Sequence, residues 1–88
     1  MNPDAPWRLH PQVSVRPEPF GALLYHFGTR KLSFLKDRVL LDAVEALATA
    51  PSARAALTEA GIPPERHAPY LTALQTLVES QMLEERAA

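Results

Sequence analysis

The sequence predicts an α+β domain in which a three-stranded antiparallel sheet is followed by three helices. Three observations predict it. Apolar and polar residues alternate over residues 12–18, and a second alternating stretch from 21 to 35 is divided by a turn signal, which is the period of strands. From Asp37 onward apolar residues recur at helical spacing instead. None of the nine prolines falls between Phe20 and Ala50, where the central elements lie.

In the first strand, "QVSVRPE", Val13 and Val15 alternate with Gln12, Ser14 and Arg16. Pro11, Pro17 and Pro19 surround it, and because proline cannot donate to a ladder, these residues belong to an edge strand or its ends. The second strand, Gly21 to Phe27, puts Leu23, Tyr25 and Phe27 on one face and Ala22, Leu24 and His26 on the other. Gly28-Thr29 suits a two-residue type II′ turn, which wants glycine first because its φ is positive. That turn pairs Phe27 with Arg30, Tyr25 with Leu32, and Leu23 with Phe34, so large apolar residues meet across one face. This face is assigned to the core, with Leu32 and Phe34 in it. In this register Leu32 and Phe34 exchange backbone bonds with the second strand, while Lys31, Ser33 and Leu35 direct theirs outward.

The first helix carries Val39, Leu40, Ala43, Val44 and Leu47 on one stripe, with Asp37 as N-cap and Pro51 as its stop. Ser52 caps the second helix, "ARAALTEAG", and Gly61 fits its C′ position. The third aligns Tyr70, Leu71, Leu74, Leu77, Val78 and Met82. It starts either at Pro64, which places Pro69 inside it, or near His67. The chain divides into a loosely ordered arm over 1–10, one domain over 11–84 and a tail over 85–88.

At 88 residues the chain has room for one core. Its net charge of −1 leaves no basic field for nucleic acid phosphates or anionic lipid. Without cysteine there are no disulfides, thiolate nucleophiles or iron–sulfur ligands, which fits a reducing cytoplasm. No apolar run approaches a membrane span and no signal peptide opens the chain. His10, His26 and His67 have no companion at metal-ligand spacing, and catalytic motifs are missing, so neither a metal nor a catalytic residue is expected. Three helices beside a small sheet are winged-helix-like, and the third would then read DNA. It offers only Arg66, His67 and Gln75 beside Glu65 and Glu79, too little positive charge to hold a duplex.

What remains is an unprotected strand edge. Open edges invite strand addition, and only Lys31 guards this one. Either the third helix or a second copy covers it, as in a strand-swapped homodimer, or an extended peptide docks there.

The segment "WRLHPQVSVRPEPFGALLYHFGTRKLSFL", together with "PSARAA" and the closing "LVESQML", resembles the mycofactocin-biosynthesis peptide chaperones. These are small members of the PqqD-like family of peptide recognition elements. The resemblance runs from Trp7 through the third helix. It implies a non-catalytic cytoplasmic chaperone, without a cofactor of its own, over residues 11–84. Such proteins bind the leader of a ribosomally made precursor peptide and present it to a radical S-adenosylmethionine maturase. The resemblance also implies that the leader adds as a strand to Lys31, Leu32, Ser33, Phe34 and Leu35. The facing wall would be Tyr70, Leu71, Leu74, Leu77 and Val78, the division of that stripe between core and groove staying open. The alternative is a degenerate winged-helix DNA-binding regulator, with a stand-alone enzyme third.

Overall fold

A computed structural model describes residues 1–87. Strands β2 (Val13–Glu18), β3 (Gly21–His26) and β4 (Leu32–Leu35) form an antiparallel sheet in the order β2-β3-β4. Helices α1 (Arg38–Ala46), α2 (Ala53–Glu59) and α3 (His67–Glu79) follow, so the α+β fold class holds. A second, two-stranded sheet pairs β1 (Trp7–Leu9) with β5 (Leu83–Glu85).

That second sheet corrects the expected arm and tail. Trp7 is buried in the core and its indole N–H donates to the Asn2 carbonyl at 2.8 Å. His10 N–H bonds to the Met82 carbonyl and Arg86 N–H to the Pro6 carbonyl, so both ends of the chain are tied to each other. The physical reason is the indole, whose large apolar area outweighs the local preference of the surrounding prolines for disorder. Ala88 lies outside the described residues.

The cap signals work as read, but α1 ends at Ala46, short of Pro51, and α3 ends at Glu79, short of Met82. Asp37 Oδ1 accepts from Val39 N–H at 2.8 Å, and Ser52 Oγ from Ala55 N–H at 3.1 Å. After α2, Gly61 sits at φ 86°, while Ile62 and Gly61 N–H bond back to the Leu57 and Thr58 carbonyls, a Schellman close. A 3₁₀ turn over Pro64–Arg66 leads into α3, which begins at His67. Pro69 therefore falls in its first turn, where a backbone N–H has no helical partner to lose.

The β3–β4 pairing has the expected register, Tyr25 with Leu32 and Leu23 with Phe34, but three details differ. First, the connection is a five-residue segment, residues 27–31, and not a two-residue type II′ turn. Arg30, not Gly28, takes the positive φ, at 61°. Second, Phe27 N–H donates to the carbonyl of Gln12, the residue just before β2, so it cannot also point at Arg30. His26 N–H donates to Lys31 O instead. Ladder bonds alternate along an antiparallel pair, so Leu24–Ser33 and Ala22–Leu35 are the bonded pairs and Leu32 and Phe34 face outward. The expected phase is inverted. Third, the core face is the other one. Ala22, Leu24, His26 and Leu35 are buried, whereas Leu32 and Phe34 are 59% and 60% exposed. Both faces are apolar, so alternation could not choose between them. The helix layer chose the face with Ala22, whose small side chain lets α1 approach β3 closely.

Candidate functional site

The β2 edge is closed by its own sequence. Pro17 lies opposite Ala22, and the bond from Phe27 N–H to Gln12 O fixes the β2–β3 phase so that Pro17 faces outward. Its missing N–H thus costs no ladder bond and removes a donor from the free edge. The β4 edge has no such block. Leu32 and Phe34 direct their N–H and C=O groups away from β3.

Beside that edge runs a groove of about 350 Å³, lined by all of β4 together with Leu40 of α1 and Ala73, Thr76 and Leu77 of α3. Leu35, 1% exposed, forms part of its floor. A second hollow of about 340 Å³ continues it, sharing Leu40 and Ala73 and adding Asp37, Arg66, Pro69 and Tyr70. The hydroxyl of Tyr70 donates to Asp37 Oδ2 at 2.9 Å and closes the far side. That bond foremost, and burial after it, raises the phenol's pKa above its ordinary value near 10.

The expected site residues divide accordingly. Leu32, Ser33, Phe34 and Leu35 meet Leu77 in the groove, and Tyr70 stands at its continuation. Lys31 flanks the strand and is exposed. Leu74 is fully buried in the core. Leu71 faces Met1 and Pro3 in another hollow, and Val78 lines a cleft at the opposite end of the sheet. Leu40, Ala73 and Thr76 were missed. Ala73 and Thr76 are small residues one helical turn apart, on the flank of the leucine stripe, and that smallness is the only sequence sign of a groove there.

The cleft holding Val78 is about 440 Å³ and includes His10, His26 and Glu84. The two imidazoles stack with centroids 4.4 Å apart. Nδ1 of His10 accepts from Gln12 N–H, and Nδ1 of His26 accepts from both Gly28 and Thr29 N–H. In both rings Nδ1 is thus taken up by backbone amides. His67 Nε2 is buried against the Ile62 carbonyl at 2.8 Å. Among the described residues no cluster of three or more His, Asp or Glu could hold a metal, and no helix is long and apolar enough to cross a membrane.

The fold is an α+β domain with one proline-blocked and one open sheet edge, the open one beside a groove lined mainly by apolar residues. Residues 6–84 match the peptide chaperone MftB family, and the chain belongs to it. It is 63% identical over 83 residues to the peptide chaperone MftB of Mycolicibacterium smegmatis, covering 94% of this chain and 81% of that protein. The corresponding proteins of Mycobacterium ulcerans and Mycobacterium tuberculosis are 61% and 60% identical over the same length, with 76% of each covered. No solved structure matches the chain.

Proposed function

We propose that this chain is a non-catalytic adaptor of mycofactocin biosynthesis. It binds the leader of a ribosomally made precursor peptide and presents it to a radical S-adenosylmethionine maturase. The observation that carries this reading is the β4 edge, where Leu32 and Phe34 turn unpaired backbone groups toward a groove walled by Leu40, Ala73 and Leu77. A leader lying there as a fourth strand gains backbone bonds worth about 1 kcal/mol each, net of solvation. Its alternate side chains reach the groove floor. The contact residues proposed are Leu32 to Leu35, Leu77 and Tyr70 from the sequence reading, with Leu40, Ala73 and Thr76 added.

Holding the leader raises the local concentration of the segment to be modified and limits its orientations. The cysteine-free chain leaves the iron–sulfur cluster and S-adenosylmethionine to the maturase, and the pair works in the cytoplasm. Membership of a peptide chaperone family supports this division of labour. Reconstitution of peptide modification with and without this chain is the test. Omission should lower the rate at least about tenfold at micromolar peptide. An undiminished rate would remove the adaptor role. The DNA-regulator reading gains nothing from α3, which carries no lysine or arginine.

A further inference from the structure

The chain has nine lysines and arginines, and they fall into two groups. Arg8, Arg16 and Arg54 pair with Glu84, Glu18 and Asp4, and Arg86 is bound to the Ala48 and Ala50 carbonyls. The other five are Arg30, Lys31, Lys36, Arg38 and Arg66. Among the described residues none of them has a carboxylate partner. Arg30 and Lys31 precede β4, Lys36 and Arg38 follow it, and Arg66 lines the hollow that continues the groove. Among the described residues, four of these five cations therefore flank β4 in a chain of net charge −1, and the fifth, Arg66, lines the hollow that continues its groove.

Their placement goes against local stability. Lys36, Arg38 and Arg66 stand at the N-terminal ends of α1 and α3, where the helix dipole favours anions. Two carboxylates stand among them: Asp37 is already committed to Val39 N–H and the Tyr70 hydroxyl, and Glu65, beside Arg66, forms no ion pair with these cations among the described residues.

Between the two cationic ends the surface is apolar on both sides of an added strand. Peptide side chains level with Ser33 and Leu35 would enter the groove. Those level with Leu32 and Phe34 would lie on the outer sheet face, beside those exposed side chains and near Phe20, whose ring centroid is 6.4 Å from that of Phe34.

We infer that the segment received at β4 is an extended peptide with an uninterrupted apolar centre and acidic residues on both flanks. The inference rests on the adaptor reading and names the chemistry its site selects. A second copy of this chain is the wrong occupant. Two-fold edge pairing runs antiparallel and brings Arg30 and Lys31 of one chain against Lys36 and Arg38 of the other. The same cations thus reject self-pairing at an edge that has no proline to block it.

The test is calorimetric titration of the synthetic precursor peptide, at about 50 and about 300 mM NaCl, into the parent, the Lys31→Glu/Lys36→Glu variant and an Arg16→Glu control. Thermal melts check that all three are folded. The parent should bind at least about tenfold tighter than the double variant at low salt, with the gap narrowing at high salt and Arg16→Glu behaving like the parent. Equal binding by parent and double variant at both salts would overturn the inference and leave the adaptor reading standing. No binding by the parent would remove both. Two further results would also overturn the inference: a parent that sediments as a dimer without peptide, or a DNA duplex that displaces the peptide at physiological salt.

Discussion

Asp37 holds two elements at once: Oδ1 caps α1 through Val39 N–H at 2.8 Å, and Oδ2 accepts the Tyr70 hydroxyl of α3 at 2.9 Å. The residue sits two positions after β4 ends, so this pair ties the strand's exit to the helix across the groove. The spacing between β4 and α3 depends on it. Tyr70's pKa is raised, first by the bond to Asp37 and then by burial. A group whose folded pKa is raised contributes fully below its unfolded value, about 10 for tyrosine, and loses that contribution as pH rises through the folded value. The tie should therefore be intact at neutral pH and break only in alkali. Asp37→Ser retains a helix cap but not the reach to Tyr70. In a Tyr25→Phe background, ultraviolet titration should show the remaining tyrosine ionising at lower pH once Asp37→Ser is introduced. An unchanged titration would mean that the bond does not govern the phenol.

Proline substitution along β4 separates docking from folding. Leu32 faces outward at the start of the strand, the kind of position Pro17 already occupies on β2. Leu32→Pro should stay folded and bind leader at least about tenfold more weakly, roughly 1.4 kcal/mol. Ser33→Pro should break the ladder bond to Leu24 and cost about 3 kcal/mol or more. Melting curves and peptide titration on both variants decide the matter. Had the ladder phase been the one read from a two-residue turn, the two phenotypes would exchange.

How far the fold was legible depended on whether one local signal could decide. Asp37, Ser52 and Gly61 each satisfy a local backbone need, and each does what its position suggests. The strand register was legible as well, because large side chains match across it. The ladder phase was not. It hangs on whether Phe27 N–H turns toward Gln12 or toward Arg30, a choice made by β2 and by the two amides that His26 Nδ1 collects. The buried face escaped for a related reason. Leu23, Tyr25, Leu32 and Phe34 make as good an apolar row as Ala22, Leu24 and Leu35, and only the approach of α1 separates them. In the site, the open edge followed from the prolines' absence, whereas Ala73 and Thr76 became lining residues only once α3 was set against β4.

His26 holds the loop before β4 by accepting from Gly28 and Thr29 N–H at 3.0 and 3.1 Å. His26→Leu keeps bulk but leaves both amides without that acceptor. A stability loss of about 1–3 kcal/mol is expected in urea unfolding, with the slope unchanged. A neutral outcome would show that water replaces the imidazole at no cost.

Ala73 is half-buried and faces the groove from α3, where alanine already suits the helix. Ala73→Trp should fill the space beside Leu40 and Leu77 without disturbing the core behind them. The variant should melt near the parent and lose leader affinity by at least about tenfold, again about 1.4 kcal/mol. Retained affinity in a folded variant would move the peptide out of this groove.

The central claim is that a peptide completes the sheet at β4, and amide hydrogen exchange tests it residue by residue. In the free protein the Leu32 and Phe34 amides point outward and should exchange fast, while Ser33 and Leu35 are already protected by their bonds to β3. Saturating leader peptide should slow Leu32 and Phe34 at least about tenfold and change Ser33 and Leu35 little. If the leader binds while Leu32 and Phe34 go on exchanging as fast as in the free protein, the peptide does not add as a strand to this edge.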